Sequence, residues 1–167
     1  GTVEIAEAVV SNGWTALVAS SGGRMVHEVK RAGATHLLFP ADSKNPVVMW
    51  KNIARLEQLI AAHGVDILHV RSRAPAWSAL VAARRAGIPL VTTFHGNYTA
   101  NGPFKRLYNS VMTRGERVIA ISNFIGEQVI ETYGADADRV RVIPRGVDLR
   151  LFDPAAVSAQ RVIQLAE

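Results

Sequence analysis

Apolar positions along this chain recur with two alternating periods. Helical spacing, with apolar residues three and four apart, marks residues 2–12 through Val3, Ile5, Ala6, Val9 and Val10. The same spacing marks residues 47–63 through Val48, Ile53, Leu56, Leu59 and Ile60. Short continuous apolar runs predict strands over 14–19, 36–39, 65–70, 88–93, 118–121 and 140–143. Further helices are expected over 25–32, from Pro75 up to Gly87, and over 103–113, 123–133 and 157–166. Gly13 suits a left-handed helix cap, Gly33 and Gly64 stop the helices before them, and Ser122 suits an N-cap. Residues 144–154 read as a loop.

Six strands alternating with helices predict an α/β fold: a doubly wound, mostly parallel, Rossmann-like sheet flanked by helices. Several strands are apolar throughout, as they must be when both sheet faces are covered. Such domains begin with a central strand and a glycine-rich turn, whereas here residue 2 already reads as helical. The helix over 157–166 has no strand to lead into. The expectation is therefore a fragment, with one domain over 1–154 and a helix over 155–167 leading toward another domain.

The composition narrows the function. The chain has 167 residues, 49% hydrophobic and 20% charged, which suits one globular domain. Without cysteine there are no disulfides, no thiolate nucleophile and no cysteine zinc site. No apolar run is long enough to span a membrane, and the start lacks the features of a signal peptide. The net charge of +5 favours an anionic partner. Nucleic acid is not expected, because helix-turn-helix spacing, an RNA-binding aromatic strand and a lysine-rich tail are all missing.

Polar groups gather just beyond predicted strand ends: Arg71, Ser72 and Arg73; then His95; then Ser122 and Asn123; then Arg145 and Asp148. In open α/β sheets ligands sit beyond the carboxyl ends of the strands. His95 can bond a sugar hydroxyl or stabilise developing charge, although a loop histidine bonded only to backbone would look the same in sequence. Gly96 allows close backbone approach or a positive φ, and a plain turn explains it equally. Arg71 and Arg73, flanking Ser72 before Pro75, can meet an anion near a helix start or stand solvated. The Ser21-Gly22-Gly23 loop matches neither phosphate-binding glycine pattern and reads as structural.

Phe104, Lys105, Arg106, Leu107 and Tyr108 combine apolar and basic residues as an interfacial membrane helix does, and so do residues 47–51. The expectation for both is the commoner outcome, an apolar side docked on a sheet. His27, His36, His63 and His69 lack metal-ligand spacing, so no metal site is expected, and His69 inside an apolar strand reads as a core histidine. Ser122 lacks nucleophile-elbow glycines and reads as a cap.

Thr93-Phe94-His95-Gly96, then Ile121-Ser122-Asn123, then Val142-Ile143-Pro144-Arg145-Gly146-Val147-Asp148 with Phe152 and Pro154 carry a likeness over almost the whole chain. In them the chain resembles the N-terminal half of family-4 retaining glycosyltransferases of the GT-B fold. Residues 69–75 are similar, more faintly, to members that build bacterial lipopolysaccharide or related envelope glycans. The resemblance implies two Rossmann-like domains facing across a cleft, the first holding the acceptor and the second the nucleotide-sugar. It implies transfer with retention, without a metal or cofactor, the leaving diphosphate helping to deprotonate the attacking hydroxyl.

It gives His95 the role of the cleft histidine, beside the transferred sugar, and places Gly146 to Asp148 at the approach to the interdomain hinge; Phe94, Gly96, Asn97, Ser122, Asn123, Arg145 and Gly146 are the further candidates for contact with the substrates. Arg145 departs from the asparagine often found in that loop. Arg71, Arg73, Lys105 and Arg106 are the candidates for holding the acceptor's negative charge, and Ser72 is a further candidate for contact with the substrates. The family's first strand and glycine-rich loop would precede Gly1, and its donor domain would follow Glu167, so this chain alone is expected to be inactive. The expectation is the acceptor-side domain of an enzyme at the cytoplasmic face of a bacterial membrane, using a nucleotide-sugar and an anionic or lipid-linked glycan. Its rivals are a non-catalytic module for phosphorylated ligands or a membrane surface, and a nucleotide-sugar epimerase of related fold.

Overall fold

The computed structural model describes residues 1–147, 153, 157 and 160. The expected helix over 157–166, and Asp148, Phe152 and Pro154 before it, rest on residues outside that set.

The chain begins with helix α1, Thr2–Ser11. Gly13 takes φ 79° beyond it, and its N–H bonds Val10 O at 2.9 Å while the Trp14 N–H bonds Val9 O at 3.1 Å. This is the Schellman arrangement, so Trp14 belongs to the helix cap. Strand β1 therefore starts only at Leu17, as Leu17–Ser20, instead of the expected 14–19. Helix α2 (Val26–Arg31), strand β2 (Thr35–Leu38) and helix α3 (Pro46–His63) follow. Pro46 sits where a missing N–H costs nothing, and the Asn45 side chain accepts from the Val47 N–H at 2.9 Å.

Strand β3 (Leu68–Val70) and helix α4 (Arg73–Ala86) come next. The helix opens two residues before Pro75, which occupies its first turn, where no intrahelical N–H partner is lost. Strand β4 is Leu90–Phe94. The helix expected over 103–113 divides into α5 (Pro103–Ser110) and a tighter 3-10 turn, Val111–Thr113. Strand β5 (Arg117–Ala120), helix α6 (Asn123–Tyr133), a short turn at Ala137–Arg139 and strand β6 (Val140–Val142) complete the described part.

The strands pair in parallel throughout, in two sheets: β1-β2, and β3-β4-β5-β6. The α/β class with parallel strands and flanking helices is as expected, and among the described residues no ladder joins β1 to β3. Parallel pairing brings all strand carboxyl ends within a sheet to one rim. Helices α3 and α4 run side by side in the same direction, because Ser78 Oγ donates to Met49 O at 2.6 Å and Arg85 pairs with Glu57 at 3.1 Å. Their amino ends thus lie together at the rim that β3 ends on.

One interior cluster gathers Phe39, Leu56, Val70, Leu80, Leu90, Phe94, Met112, Val118 and Val129 under α3, α4 and α6. A separate, smaller one consists of Ala6, Ala16, Val29 and Ala34. Strand β4 is the best anchored: the Thr92 hydroxyl donates to Met112 O at 2.5 Å, and the Leu90 N–H donates to Glu116 Oε2 at 2.6 Å. That anchoring fixes where the following residue, His95, emerges.

Candidate functional site

Strand β4 delivers His95 to the rim, half-exposed, between the ends of β3 and β5. Pro144 and Arg145 follow β6 on the same rim, and the Arg145 Nη2 lies 2.9 Å from His95 Nδ1. A guanidinium offers only donors, so Nδ1 must accept and the ring proton must reside on Nε2. The imidazole therefore presents an N–H donor.

Arg71 leaves the end of β3 toward the same point. Its Nη2 stands 3.2 Å from where a β-carbon would sit at Gly1, so the amino end of α1 also faces this place. Burial and then the Arg71 and Arg145 charges hold the His95 pKa down to about 4. Burial and Arg145 likewise push the Arg71 pKa down. Two guanidinium groups and a helix amino end thus surround a neutral imidazole, which favours an anion beside it. His69 lies beneath, with Nε2 2.7 Å from Thr93 Oγ1 and a pKa lowered to about 4, chiefly by burial. It is a hydrogen-bonded interior histidine, matching the sequence reading.

A second group holds the loop after His95. Asn109, only 1% exposed, accepts from Arg73 at 2.8 Å and donates to Tyr133 Oη at 3.1 Å and to Thr99 O at 3.3 Å. The Tyr133 hydroxyl donates to Tyr98 O at 3.0 Å. The Arg73 guanidinium lies 4.3 Å from the Tyr98 ring centre. The chain from α4 through α5 and α6 therefore holds the loop that follows the imidazole at Tyr98 and Thr99.

The geometry gives several of the expected site residues structural partners. Arg73 bonds Asn109 through Nη1 and lies over the Tyr98 ring, so it holds the loop. Phe94 is 1% exposed, its ring 5.2 Å from Tyr98 and 5.9 Å from Tyr133, so it supports the site from within. Ser122 Oγ accepts the Ile125 N–H at 3.3 Å, which is its cap role. Gly96 has no positive φ, and a β-carbon there would meet nothing within 4 Å.

Ser72 is the exposed N-cap residue of α4 and makes no side-chain cap bond. Asn97, Asn123 and Gly146 are exposed near the strand ends. Lys105 and Arg106 stand exposed on α5, where they join Phe104 and Leu107 on the outside. Tyr98, Asn109 and Tyr133 escaped the sequence reading.

At the rim of β1-β2, the Ser21 hydroxyl donates to Asp42 Oδ1 at 2.5 Å, so this loop ties neighbouring loops together, as expected of a structural element. An open cavity of about 590 Å³ beside it is lined by Leu38, Asp42 and Arg55 among others. Among the described residues no three His, Asp or Glu side chains gather as a metal ion would need, and no helix is long and apolar enough to cross a membrane.

The sequence model of Glycosyltransferase Family 4 matches residues 1–151. A crystal structure of a glycosyltransferase from Rickettsia africae superposes with a TM-score of 0.83 at 38% identity, covering 98% of this chain and 43% of that one. A D-inositol 3-phosphate glycosyltransferase of Xylanimonas cellulosilytica is 30% identical over 112 residues, 56% of this chain and 25% of its own length. The UDP-Gal:alpha-D-GlcNAc-diphosphoundecaprenol alpha-1,3-galactosyltransferase of Escherichia coli is 32% identical over 113 residues, 63% of this chain and 29% of its length. The matches thus span between a quarter and two fifths or so of these longer proteins.

Proposed function

Because this chain belongs to Glycosyltransferase Family 4, we propose that it is the acceptor-side part of an enzyme that moves a sugar from a nucleotide-sugar to a phosphorylated or lipid-linked glycan acceptor. The reaction proposed is retaining and metal-independent, at the cytoplasmic face of a bacterial envelope. The observation that carries the reading is the neutral His95 imidazole with its Nε2–H directed away from Arg145, between Arg71 and Arg145.

Sugar transfer builds positive charge on the anomeric carbon and negative charge on the departing diphosphate. An imidazolium next to that carbon would oppose the reaction. A neutral ring donates its Nε2–H to a hydroxyl of the sugar in transit without adding charge. Arg71 and Arg145 hold phosphate charge on the acceptor at the same rim. The bond from the anomeric carbon to the diphosphate oxygen breaks, the acceptor oxygen bonds the same face, and its proton passes to the leaving phosphate. The names of two relatives each include a phosphorylated compound, in keeping with this pair of arginines.

The test is transfer by the full-length enzyme from a panel of UDP-sugars to phosphorylated and lipid-diphosphate acceptors, with the anomeric configuration of the product read by NMR. Wild-type turnover by His95→Ala would remove His95 from the reaction. Interconversion of the nucleotide-sugar without any acceptor would replace the transferase reading with an epimerase.

A further inference from the structure

We propose that the open cavity between the rim of β1-β2 and helix α3 is a second binding site, which takes a neutral saccharide unit by its hydroxyl groups. Its volume of about 590 Å³ lies inside the range of small-molecule sites, roughly 300–1,000 Å³. Leu38 and Leu59 give it an apolar side, and Asp42, Arg55 and Gln58 give it a polar one.

The polar side is fixed by its own neighbours. Asp42 Oδ1 accepts from the Ser21 hydroxyl at 2.5 Å, and that hydroxyl also reaches Phe39 O at 3.2 Å. The Ser21 loop is pinned in turn, because Ser20 Oγ lies 2.8 Å from His36 Nε2 and accepts the Gly22 N–H at 3.3 Å. Arg55 Nη1 donates to Asn52 Oδ1 at 2.9 Å, and Asn52, only 2% exposed, donates onward to Pro40 O at 3.0 Å. Asp42 and Arg55 therefore each lean on a neutral group, and no ion pair joins them among the described residues. Asp42 Oδ2 and Arg55 Nη2 have no partner among those residues either.

An acceptor and a donor lining one cavity without meeting each other select the ligand's chemistry. The Asp42 carboxylate repels phosphate, so anions are left to Arg71 and Arg145. A sugar hydroxyl both donates and accepts, so neighbouring hydroxyls give one hydrogen bond to Asp42 and take one from Arg55 or Gln58. The C–H face of the ring then covers Leu38, which is 81% exposed. A zwitterionic amino acid carries complementary charges too, but Asp42 and Arg55 are both exposed, where an ion pair contributes little. A ring with several hydroxyls gains from the number of its bonds instead.

The place of this saccharide in the reaction rests on the proposed function: it is a further sugar of the acceptor. Phe39, in the cavity wall, joins the interior cluster that holds Phe94, the residue before His95, so cavity and imidazole belong to one packed body.

The test is saturation-transfer NMR and calorimetry on the full-length enzyme with methyl glycosides of glucose, galactose and mannose, beside glycine and inorganic phosphate. At least one glycoside is expected to bind. Gln58→Ala should weaken it about threefold and Asp42→Ala about tenfold or more, the scales of a neutral and a charge-assisted hydrogen bond. Leu38 and Gln58 are exposed, so Leu38→Ser and Gln58→Ala should keep the thermal melt. Both should raise KM about threefold for acceptors of two or more sugars, with kcat and the KM of single-sugar acceptors unchanged.

No glycoside binding, or binding unchanged in both Asp42→Ala and Gln58→Ala, would overturn the proposal. Glycine binding lost in Asp42→Ala, with no glycoside bound, would replace the saccharide by a zwitterion. Transfer with unaltered KM in Leu38→Ser and Gln58→Ala would sink the cavity and spare the proposed function. Glycoside binding weakened by both Asp42→Ala and Gln58→Ala, without transfer to any acceptor, would do the reverse.

Discussion

The Arg145 guanidinium donates to His95 Nδ1 across 2.9 Å, joining two residues fifty positions apart. The bond settles which ring nitrogen carries the proton.

Glutamine places an N–H donor near the position of Nε2, whereas asparagine reaches only as far as Nδ1. His95→Ala and His95→Asn should each lower kcat by about 100-fold or more, the scale of one lost donor in a transition state. His95→Gln should retain clearly more activity. Equal losses in Asn and Gln would show that Nε2–H is not the group in use.

Burial, and then the two cations beside it, lower the His95 pKa to about 4, and removing either cation should raise it. The His95 ring resonance followed by NMR should move toward the ordinary value near 6.5 in Arg71→Ala and in Arg145→Ala. The wild-type transfer rate should show no inflection from His95 near neutral pH. An inflection that disappears in His95→Gln would contradict the neutral-donor role.

His69 and His95 both have folded pKa values near 4, below the unfolded value of 6.5. Above 6.5 neither state binds these protons and their contribution to stability is complete. Between 6.5 and about 4 the unfolded chain takes them up and the folded one does not, so stability falls with pH. The interior His69 should account for at most about 3 kcal/mol of that fall. The half-exposed His95, screened by solvent, should contribute less. Urea unfolding of His69→Gln should show a shallower acid slope than wild type.

Asn109→Ala removes the acceptor of Arg73 and a partner of Tyr133 at a site closed to water. It should cost about 2–3 kcal/mol, the penalty of leaving buried polar groups unmatched. It should also lower kcat without changing the His95 titration, because the loop loosens while the two cations remain. A fall in stability with unchanged kcat would separate this network from the site.

A methyl at Gly115 would stand 2.7 Å from Leu90 O and 3.1 Å from Arg117 O, both rigid backbone. Gly115→Ala should therefore destabilise by up to about 3 kcal/mol. Gly96→Ala meets no protein atom and should leave the melt unchanged. If substrate approaches the backbone at Gly96, the alanine should raise KM alone, and an unchanged KM would show that the position is a plain turn.

Element types were legible because helix and strand periods alternate cleanly, but three strand starts were placed two or three residues early for one shared reason. Trp14, Val65 and Ile88 each follow a glycine with positive φ, and each N–H turns back to a carbonyl five residues earlier: Val9, Ile60 and Ala83. The apolar residue after such a glycine covers the helix end, and in sequence it is indistinguishable from the first residue of a strand. The position of His95 at a strand end was legible for a similarly local reason. The roles of Arg73 and Asn109 were not, since their bond spans thirty-six positions and depends on how α4 crosses α5. The exposure of Phe104 was hidden because the sequence does not say which face of a short helix is anchored, and here the anchor is polar.

The interior of the molecule is divided unequally. Ala6, Ala16, Val29 and Ala34 close the cluster under α1 and α2 with side chains of one to three carbons, while phenylalanine, leucine and methionine fill the other. Less apolar surface leaves water per residue in the smaller cluster, and local opening there is correspondingly cheaper. Amide protons of β1 should exchange with solvent well before those of β4. The sheet of β1 and β2 is then the yielding part of the molecule, and the sheet that bears the imidazole the rigid one.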